Sequence, residues 1–452
     1  MIKRLLFVSA NKLTIPYPVY PLALAYLKTY LEQKLPDLEV KMFDFNLADI
    51  EAYINFQQEF KPDYIAVSLR NIDGVNSYDP VNFISSYKTI IEKTDKSRGT
   101  KVVIGGAGFS IFPEKLFDRL NPDYGISGEG EESLYLLIDG LNNNKVVNDI
   151  PGLIFRKDGA VHMNPRKNCF SGMDLHFDDA LVDYYWKKSG MLNIQTKRGC
   201  PFNCIYCTYP VIEGRQVRKL DTDTIIHTLK DLNSRKGINY VFFTDSVFNI
   251  DNDYNADLAE KIISNDIKLN WGAYFYPKGL TSDLLKLLKR SGLMHIEFGT
   301  ESICDETLVK YGKHFTVEDI ITQSELCFKE DIFYAHFLIL GGYGETDATI
   351  DDTFRNSMRI EHSVFFPYVG MRIYPGTKLY NYALAEGKIS ADDELIEPKY
   401  YISDKITQST LKERAEKTGK RWAFPDEDIS SIVSRMRNLR NKKGPLWEYM
   451  LK

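Results

Sequence analysis

Short apolar runs alternate along the chain with longer stretches in which apolar residues recur three and four apart, the pattern of strands joined by helices. In the first third, Leu5-Leu6-Phe7-Val8, Val40 to Phe43, Tyr64-Ile65-Ala66-Val67-Ser68, Val102-Val103-Ile104-Gly105-Gly106 and Tyr124-Gly125-Ile126-Ser127 read as five strands. Pro21 to Leu35 and Val81 to Ile91 have helical spacing, and a further helix runs through Leu137. Residues 1–147 therefore predict an α/β domain with a doubly wound, Rossmann-like parallel sheet, whose ligands sit at the carboxyl ends of the strands. Residues 148–188 read as a connector containing a small hairpin across Lys157-Asp158-Gly159, with His162 and His176 expected at the surface.

A second alternation starts at Leu192. Strands are predicted at Leu192 to Thr196, Asn239 to Phe243, Trp271 to Tyr274, His295 to Gly299, Phe333 to Leu340 and Ser363 to Ile373. Helices fall between them at Thr222 to Lys236, Ala256 to Ser264, Ser282 to Ser291, Val317 to Glu330 and Ile350 to Ile360. Six strands separated by helices make a partial (β/α)6 barrel of the TIM type over residues 189–385. Residues 386–452 read as a small helical C-terminal domain. In it Asp426-Glu427-Asp428-Ile429 opens a helical pattern through Leu439, and a basic cluster spans Arg435 to Lys443. Acidic residues in a first turn and basic ones in a last turn both suit the helix dipole. The apolar Pro445-Leu446-Trp447-Glu448-Tyr449-Met450 is expected to dock back.

Composition changes this picture little. A length of 452 residues suits about three domains, and 44% hydrophobic with 26% charged residues is globular. The net charge of −5 gives no electrostatic reason to expect nucleic acid or an anionic membrane as partner. The first apolar run stops at Val8, too short for a signal peptide, and no run approaches a membrane span. A cytoplasmic chain is expected.

The chemistry is concentrated in Lys197-Arg198-Gly199-Cys200-Pro201-Phe202-Asn203-Cys204-Ile205-Tyr206-Cys207. Three thiols spaced Cys-x3-Cys-x2-Cys can wrap one metal cluster, while Cys169, Cys304 and Cys327 stand far off as singletons. A structural zinc normally takes four protein ligands. Three thiolates from one short loop suit a four-iron cluster with one iron left open to a small molecule. A zinc loop completed by a distant residue is the competing reading. At the strand ends of the first domain, Gly105-Gly106-Ala107-Gly108 and Gly128-Glu129-Gly130-Glu131 allow close approach to the backbone, for a ligand or simply for a turn. The first strand lacks the Gly-x-Gly-x-x-Gly turn of nicotinamide sites.

The cysteine loop resembles the signature of the radical S-adenosylmethionine (SAM) enzymes. In that family Cys200, Cys204 and Cys207 would hold a [4Fe-4S] cluster whose open iron is chelated by SAM, and Tyr206 would lie against adenine. Phe243-Thr244-Asp245-Ser246, Phe298-Gly299-Thr300-Glu301-Ser302, Leu338 to Thr346 and Arg372-Ile373-Tyr374-Pro375 resemble the family's strand-end segments. The resemblance implies that Asp245 approaches the SAM amino group and that Glu301 and Ser302 contact ribose and carboxylate. It places Gly341 and Gly342 near adenine, and Tyr374 in the last-strand motif.

Pro21 to Leu27, Pro62-Asp63-Tyr64, Gly105-Gly106, Phe112-Pro113-Glu114 and Gly128 to Glu131 resemble the domain that precedes the barrel in cobalamin-dependent radical SAM enzymes. Ser68, Arg70, Asn71, Gly105, Gly106, Gly108, Gly128, Glu129 and Gly130 would then line cobalamin. The Asp-x-His-x-x-Gly motif of other cobalamin domains is absent, and all 7 histidines lie at or beyond His162. Cobalt would receive no histidine from this domain, and Arg70 would discourage a lower ligand.

The resemblance implies a methyltransferase that moves a methyl group from methylcobalamin to an unactivated carbon of a small molecule or peptide, with flavodoxin or ferredoxin as reductant. Three rivals remain open: a non-methylating ring closure, rearrangement or redox reaction on the same cofactors; methylthiolation of transfer RNA; and a non-catalytic cobalamin carrier or electron-transfer protein. The RNA reading is disfavoured by the lack of three more close cysteines and of a basic appendage, and the carrier by a loop with only three thiols.

Overall fold

A computed structural model describes residues 3–14, 16–167, 175–425 and 443–451. The expectations on Cys169 and on the helical pattern opened by Asp426 lie outside the described residues. The chain divides into two compact units. One comprises Met1–Gly74, Val81–Tyr184 and Val211–Gly214, the other Val75–Pro80, Tyr185–Pro210 and Arg215–Lys452.

The first unit is built on β1 (Lys3–Ser9), β2 (Leu38–Asp44), β3 (Tyr64–Ser68), β4 (Lys101–Gly105) and β5 (Tyr124–Ile126), followed by the hairpin β6 (Leu153–Lys157) and β7 (Ala160–Met163). Strand order is β2-β1-β3-β4-β5-β6-β7. The first five are mutually parallel and the hairpin joins the β5 edge antiparallel. Leu5, Leu6, Phe7 and Val8 are all fully buried, as both faces of a doubly wound sheet require. One core layer joins Leu5, Phe7 and Val103 to Leu24 and Leu31 of helix Leu22–Lys34 and to Leu134 and Leu137 of helix Glu131–Asn142. The order reverses between β1 and β3, and the carboxyl ends of those strands are the expected ligand position.

In the described residues up to Ser189, four helices escaped the periodicity, including Ala107–Ile111 and Asp179–Ser189. Ile50–Phe60 buries Tyr53, Gln57 and Phe60, a stripe interrupted by a glutamine; Asp49 caps it by accepting from Ala52 N. Pro113–Leu120 starts at the proline of the Phe112-Pro113-Glu114 segment. His162 is exposed, as is His176, at 60% of its side chain.

The second unit adds β8 (Leu192–Ile194), β9 (Lys197–Arg198), β10 (Arg218–Lys219), β11 (Tyr240–Phe243), β12 (Asn270–Phe275), β13 (Leu293–Glu301), β14 (Phe333–Leu340), β15 (Ser363–Val369), β16 (Met371–Arg372), β17 (Tyr400–Tyr401) and β18 (Arg421–Trp422). The barrel sheet runs β8-β11-β12-β13-β14-β15-β18, all parallel. The six expected strands are present and β18, from the C-terminal region, extends their edge. The expected final strand is broken at Gly370 (φ 77), so that β16 turns away to pair with β17. Asp221, Asp251, Thr281, Thr316, Thr346 and Thr377 cap successive helices of this unit with their side chains. Beyond residue 385 the described residues include helix Leu411–Glu416 and a closing 3-10 turn, Leu446–Leu451. Trp447 of that turn is buried with Ala335, Val364 and Ala423, so the tail docks back as its composition predicts.

Candidate functional site

In the first unit the glycine loops are fitted to the protein's own backbone. Leu69 N donates to Gly105 O at 2.8 Å, and Gly108 N donates to Leu69 O at 2.9 Å and Arg70 O at 3.0 Å. Gly106 has φ 104, and a Cβ there would stand 2.8 Å from Leu69 O; one on Gly108 would stand 3.0 Å from the same atom. These glycines thus let the loop after β4 lie against the loop after β3. Gly128 (φ 92) donates to Ser110 Oγ at 2.8 Å, and its missing side chain leaves room for Arg166 Cδ, 3.2 Å from a built Cβ. Gly130 stands in the same relation to Leu27 Cδ2, at 3.2 Å. Arg70 is exposed, Ser68, Asn71 and Glu129 are half-buried, and the Asn71 carbonyl accepts from Tyr87 OH.

One group here has no partner. Ser127 Oγ, on a residue 2% exposed at the end of β5, makes no hydrogen bond. Buried hydroxyls are normally satisfied. The carboxyl ends of β3, β4 and β5, where a doubly wound sheet places its ligand, with a buried hydroxyl that has no partner among the described residues, fit a ligand such as cobalamin held through backbone and small polar groups.

In the second unit the strand end leading into the cysteines is clasped by Asp245, which is 1% exposed. Its Oδ1 accepts from Thr196 N at 2.6 Å and Lys197 N at 3.0 Å, and its Oδ2 accepts from the Thr196 hydroxyl. Lys197, 2% exposed, places Nζ 3.0 Å from Asp245 Oδ2 and donates to Asn255 Oδ1 at 2.9 Å. Its ammonium lies 4.4 Å from the Phe248 ring centroid and 4.7 Å from that of Tyr254. Sequence reading placed Asp245 toward the SAM amino group; here both oxygens are engaged by the loop. Ser246 Oγ donates to Gly199 O at 3.1 Å, and Ile205 N donates to Tyr311 O at 3.1 Å, fixing the loop at two further points.

Cys200 is buried, and Cys204 and Cys207 are half-buried. Burial pushes the Cys207 thiol up to about 12 and raises Cys200 as well, in each case with a contribution from Cys204. A coordinated metal reverses that balance, because a ligating thiol is held deprotonated. Among the described residues no three His, Cys, Asp or Glu side chains converge on one metal ion. Tetrahedral zinc at 2.3 Å from each sulfur needs sulfurs about 3.8 Å apart. A cluster that gives each thiolate its own iron asks for no such convergence, and three thiols on one short loop are the donor set it takes.

Beside them lies a half-buried trio. Tyr206 OH donates to Glu301 Oε1 at 2.6 Å, and Lys313 Nζ is 3.3 Å from the same oxygen, with side-chain exposures of 7% for Lys313 and 15% for Glu301. Burial opposes the Lys313 charge, but Glu301 and the neighbouring Cys204 and Cys207 outweigh it, so its pKa is raised. Glu301 has φ 65, at a register shift near the end of β13 that turns its side chain to this position. Ser302 faces elsewhere, its hydroxyl 3.1 Å from Thr353 Oγ1.

After β14, Gly341 (φ 78) and Gly342 donate to Glu345 Oε2, at 2.5 Å and 3.1 Å. A Cβ on Gly342 would lie 2.1 Å from Tyr311 OH. Burial lifts the Glu345 carboxyl to about 7, against the opposing pull of Tyr311 and of the two glycine amides. Tyr374 is half-buried with the Arg372 guanidinium 4.7 Å from its ring centroid. The structure thus joins Tyr206 to Glu301 and anchors Asp245 beneath the loop. Lys197 and Glu345 lie in the segments that carry the resemblance but receive no role of their own from the sequence, and Lys313 looks there like an ordinary loop charge.

Residues 8–138 match the model of the B12 binding domain, and residues 194–356 that of the radical SAM superfamily. An uncharacterized methyltransferase of Pyrococcus horikoshii is 25% identical over 413 residues, covering 87% of this chain and 86% of its own. Tryptophan 2-C-methyltransferase of Streptomyces laurentii is 24% identical, covering 79% of this chain and 71% of its own. The solved structure of TsrM from Kitasatospora setae, a radical SAM methyltransferase with cobalamin and a [4Fe-4S] cluster bound, aligns with a TM-score of 0.86 at 21% identity, over 99% of this chain and 98% of that one. With a B12 binding domain ahead of a radical SAM domain, the chain belongs to the cobalamin-dependent radical SAM family.

Proposed function

We propose that the chain is a methyltransferase acting on an unactivated carbon of a small molecule. The observation that carries this reading is the three-thiol loop, locked to the barrel rim through Tyr206, Glu301 and Lys313, in a chain whose other unit carries a B12 binding domain. The names of the two similar methyltransferases support methyl transfer as the outcome. When bound, the cluster with SAM supplies a carbon-centred radical and cobalamin supplies the methyl group.

The chain's own residues bind, orient and exclude water. Cys200, Cys204 and Cys207 would hold the cluster. Lys313 would set a buried positive charge against its thiolates, kept in place by Glu301. Asp245 and Ser246 act on the loop from below, so their contribution to SAM binding is to hold its anchor. Tyr206, Glu301, Gly341, Gly342 and Tyr374 would face SAM, with Glu345 fixing the two glycine amides. Ser302 would contribute through the backbone, since its hydroxyl is used within the barrel wall. Ser68, Arg70, Asn71, Gly105, Gly106, Gly108, Gly128, Glu129 and Gly130 would lie along the cobalamin. Water exclusion around the reacting centre protects a radical from quenching.

The test is to supply reduced, cluster-reconstituted, cobalamin-loaded protein with SAM labelled in its methyl group and to follow the label by mass spectrometry. Formation of both 5′-deoxyadenosine and S-adenosylhomocysteine, with label in a methylated product, is expected. Sustained deoxyadenosine formation in which a converted product carries no label would contradict methyl transfer.

A further inference from the structure

Along β13, His295, Glu297 and Gly299 share one face, while Ile296, Phe298 and Thr300 are fully buried on the other; the register shifts after Gly299, before Glu301. Thr300 bonds His336, which bonds Ser324 of helix Val317–Lys329, so the second face lies under the helices and the first faces the barrel interior. Register places Tyr274 of β12 and Ala335 of β14 beside Glu297. This inner face is sealed at one end and open at the other. Trp447 packs edge-on to His295 at 5.6 Å, with Ala335 and Val364 in the same buried cluster. On the same face Tyr274, level with Glu297, is 40% exposed, and Tyr368, further along β15 than Val364, is 37% exposed.

Glu297 sits at the boundary between the sealed and open parts. It is 3% exposed, and its Oε1 accepts from Trp447 Nε1 at 3.0 Å. Burial lifts its carboxyl to about 7. The adjacent His295 supplies no charge: its Nε2 is 4.0 Å from Oε1, its Nδ1 is bonded to Tyr240 OH, and burial lowers it to about 3. Among the described residues no lysine or arginine pairs with Glu297. Gly272 is shaped to this cluster, since a Cβ there would come within 1.9 Å of the His295 ring. A buried carboxylate is costly unless a cation or several donors meet it, and here the barrel provides one indole N–H. The inner face beside Glu297 is aromatic: Phe242 stacks on the His295 ring at 5.7 Å and meets Tyr274 edge to face at 4.9 Å.

We propose that Glu297, on the inner face of the barrel sheet, is the specificity-determining residue and takes the protonated amine of a substrate whose body is planar or apolar. The proposal rests on the reading of the chain as an enzyme for a small molecule. It assigns a residue outside the cluster and SAM segments and narrows the substrate class to cationic amines. Trp447, carried by the C-terminal turn, is a positioning residue that fixes one carboxylate oxygen and leaves the other to the ligand.

The test is binding to cluster-reconstituted, cobalamin-loaded protein, with phenethylamine as probe and 3-phenylpropionate and phenethyl alcohol as its anionic and neutral counterparts. Titration calorimetry should find the amine bound about tenfold or more tighter than either counterpart, the range for a charge-assisted hydrogen bond. E297Q should erase that preference while retaining iron and cobalamin, and E297D should keep it in weakened form. No amine binding, no preference in the wild type, or a preference that survives E297Q would overturn the proposal. The wild-type comparison decides even if a variant fails to fold. SAM cleavage assayed in parallel separates the two readings. Amine preference without deoxyadenosine formation would sink the enzymatic reading alone, and cleavage without preference would sink the anchor alone.

Discussion

The glycine loops of the first unit and the cysteine loop of the second both sit at strand ends, yet they are held in opposite ways. Gly106 and Gly108 keep their loop in place by lacking side chains, packed against Leu69 and Arg70 through backbone hydrogen bonds. The cysteine loop is held by side chains reaching in from elsewhere in the barrel, chiefly the buried Asp245–Lys197 pair and Tyr206 on Glu301. The first arrangement suits a large ligand met over a wide backbone surface. The second suits a small, highly charged group whose protein ligands must be fixed while their charge is balanced. Perturbing each unit should therefore affect a different cofactor, and by a different mechanism.

The largest effect is expected at Asp245. Asp245→Ala leaves Lys197 as an uncompensated buried cation, at about 3–5 kcal/mol. Thermal unfolding should move down accordingly, and iron content after reconstitution should fall while cobalamin binding persists in protein that remains folded. Glu297→Gln acts in the other direction and depends on pH. A carboxyl raised from 4.5 to about 7 contributes stability below pH 4.5 that is lost as pH rises through 7. The neutral amide removes that loss, so the variant should gain on the wild type by about 3 kcal/mol above pH 7 and by little near pH 4.5. His295 has the reverse slope: its pKa falls from 6.5 to about 3, so its contribution is lost as pH drops from 6.5 toward 3. Unfolding measured at pH 5 and pH 8 separates the two groups.

Gly106→Ala probes the first unit. At φ 104, with Leu69 O 2.8 Å from the new methyl, the cost is about 1–3 kcal/mol. Cobalamin retention on gel filtration should drop with iron content unchanged, the mirror image of Asp245→Ala. The smallest effect is expected at exposed Arg70, where Arg70→Ala should change stability by no more than about 0.5 kcal/mol. Any change in cobalamin retention there would then report on the ligand directly.

Much of this architecture is written in local pattern. Tyr64–Ser68 and Phe333–Leu340 are apolar runs with the bounds the sequence predicts, and Thr222–Lys236 begins after a capping aspartate. What escaped depends on distant partners. Helix Ile50–Phe60 hides its stripe behind Gln57, whose amide is buried because Tyr53 and Lys93 carbonyls accept from it. Strand β18 has two residues, too few for any periodicity. In the site, the three cysteines are legible from spacing, whereas Lys197 owes its importance to Asp245 on another strand end, and Lys313 and Glu345 to contacts that only the folded loops make. A signal for Glu297 was present: His295 and Glu297 place polar side chains on alternate positions between the apolar Ile296 and Phe298, the mark of a polar barrel lining.

The central claim is that one unit takes cobalamin and the other a three-thiolate cluster, each by its own means. Its most direct test is iron and cobalamin bound per chain in anaerobically reconstituted wild type, C204A and G106A. The account predicts one four-iron cluster and one cobalamin in the wild type, loss of the cluster with cobalamin kept in C204A, and loss of cobalamin with the cluster kept in G106A. A wild type that binds no cobalamin, or a C204A protein that keeps its full cluster, would contradict it.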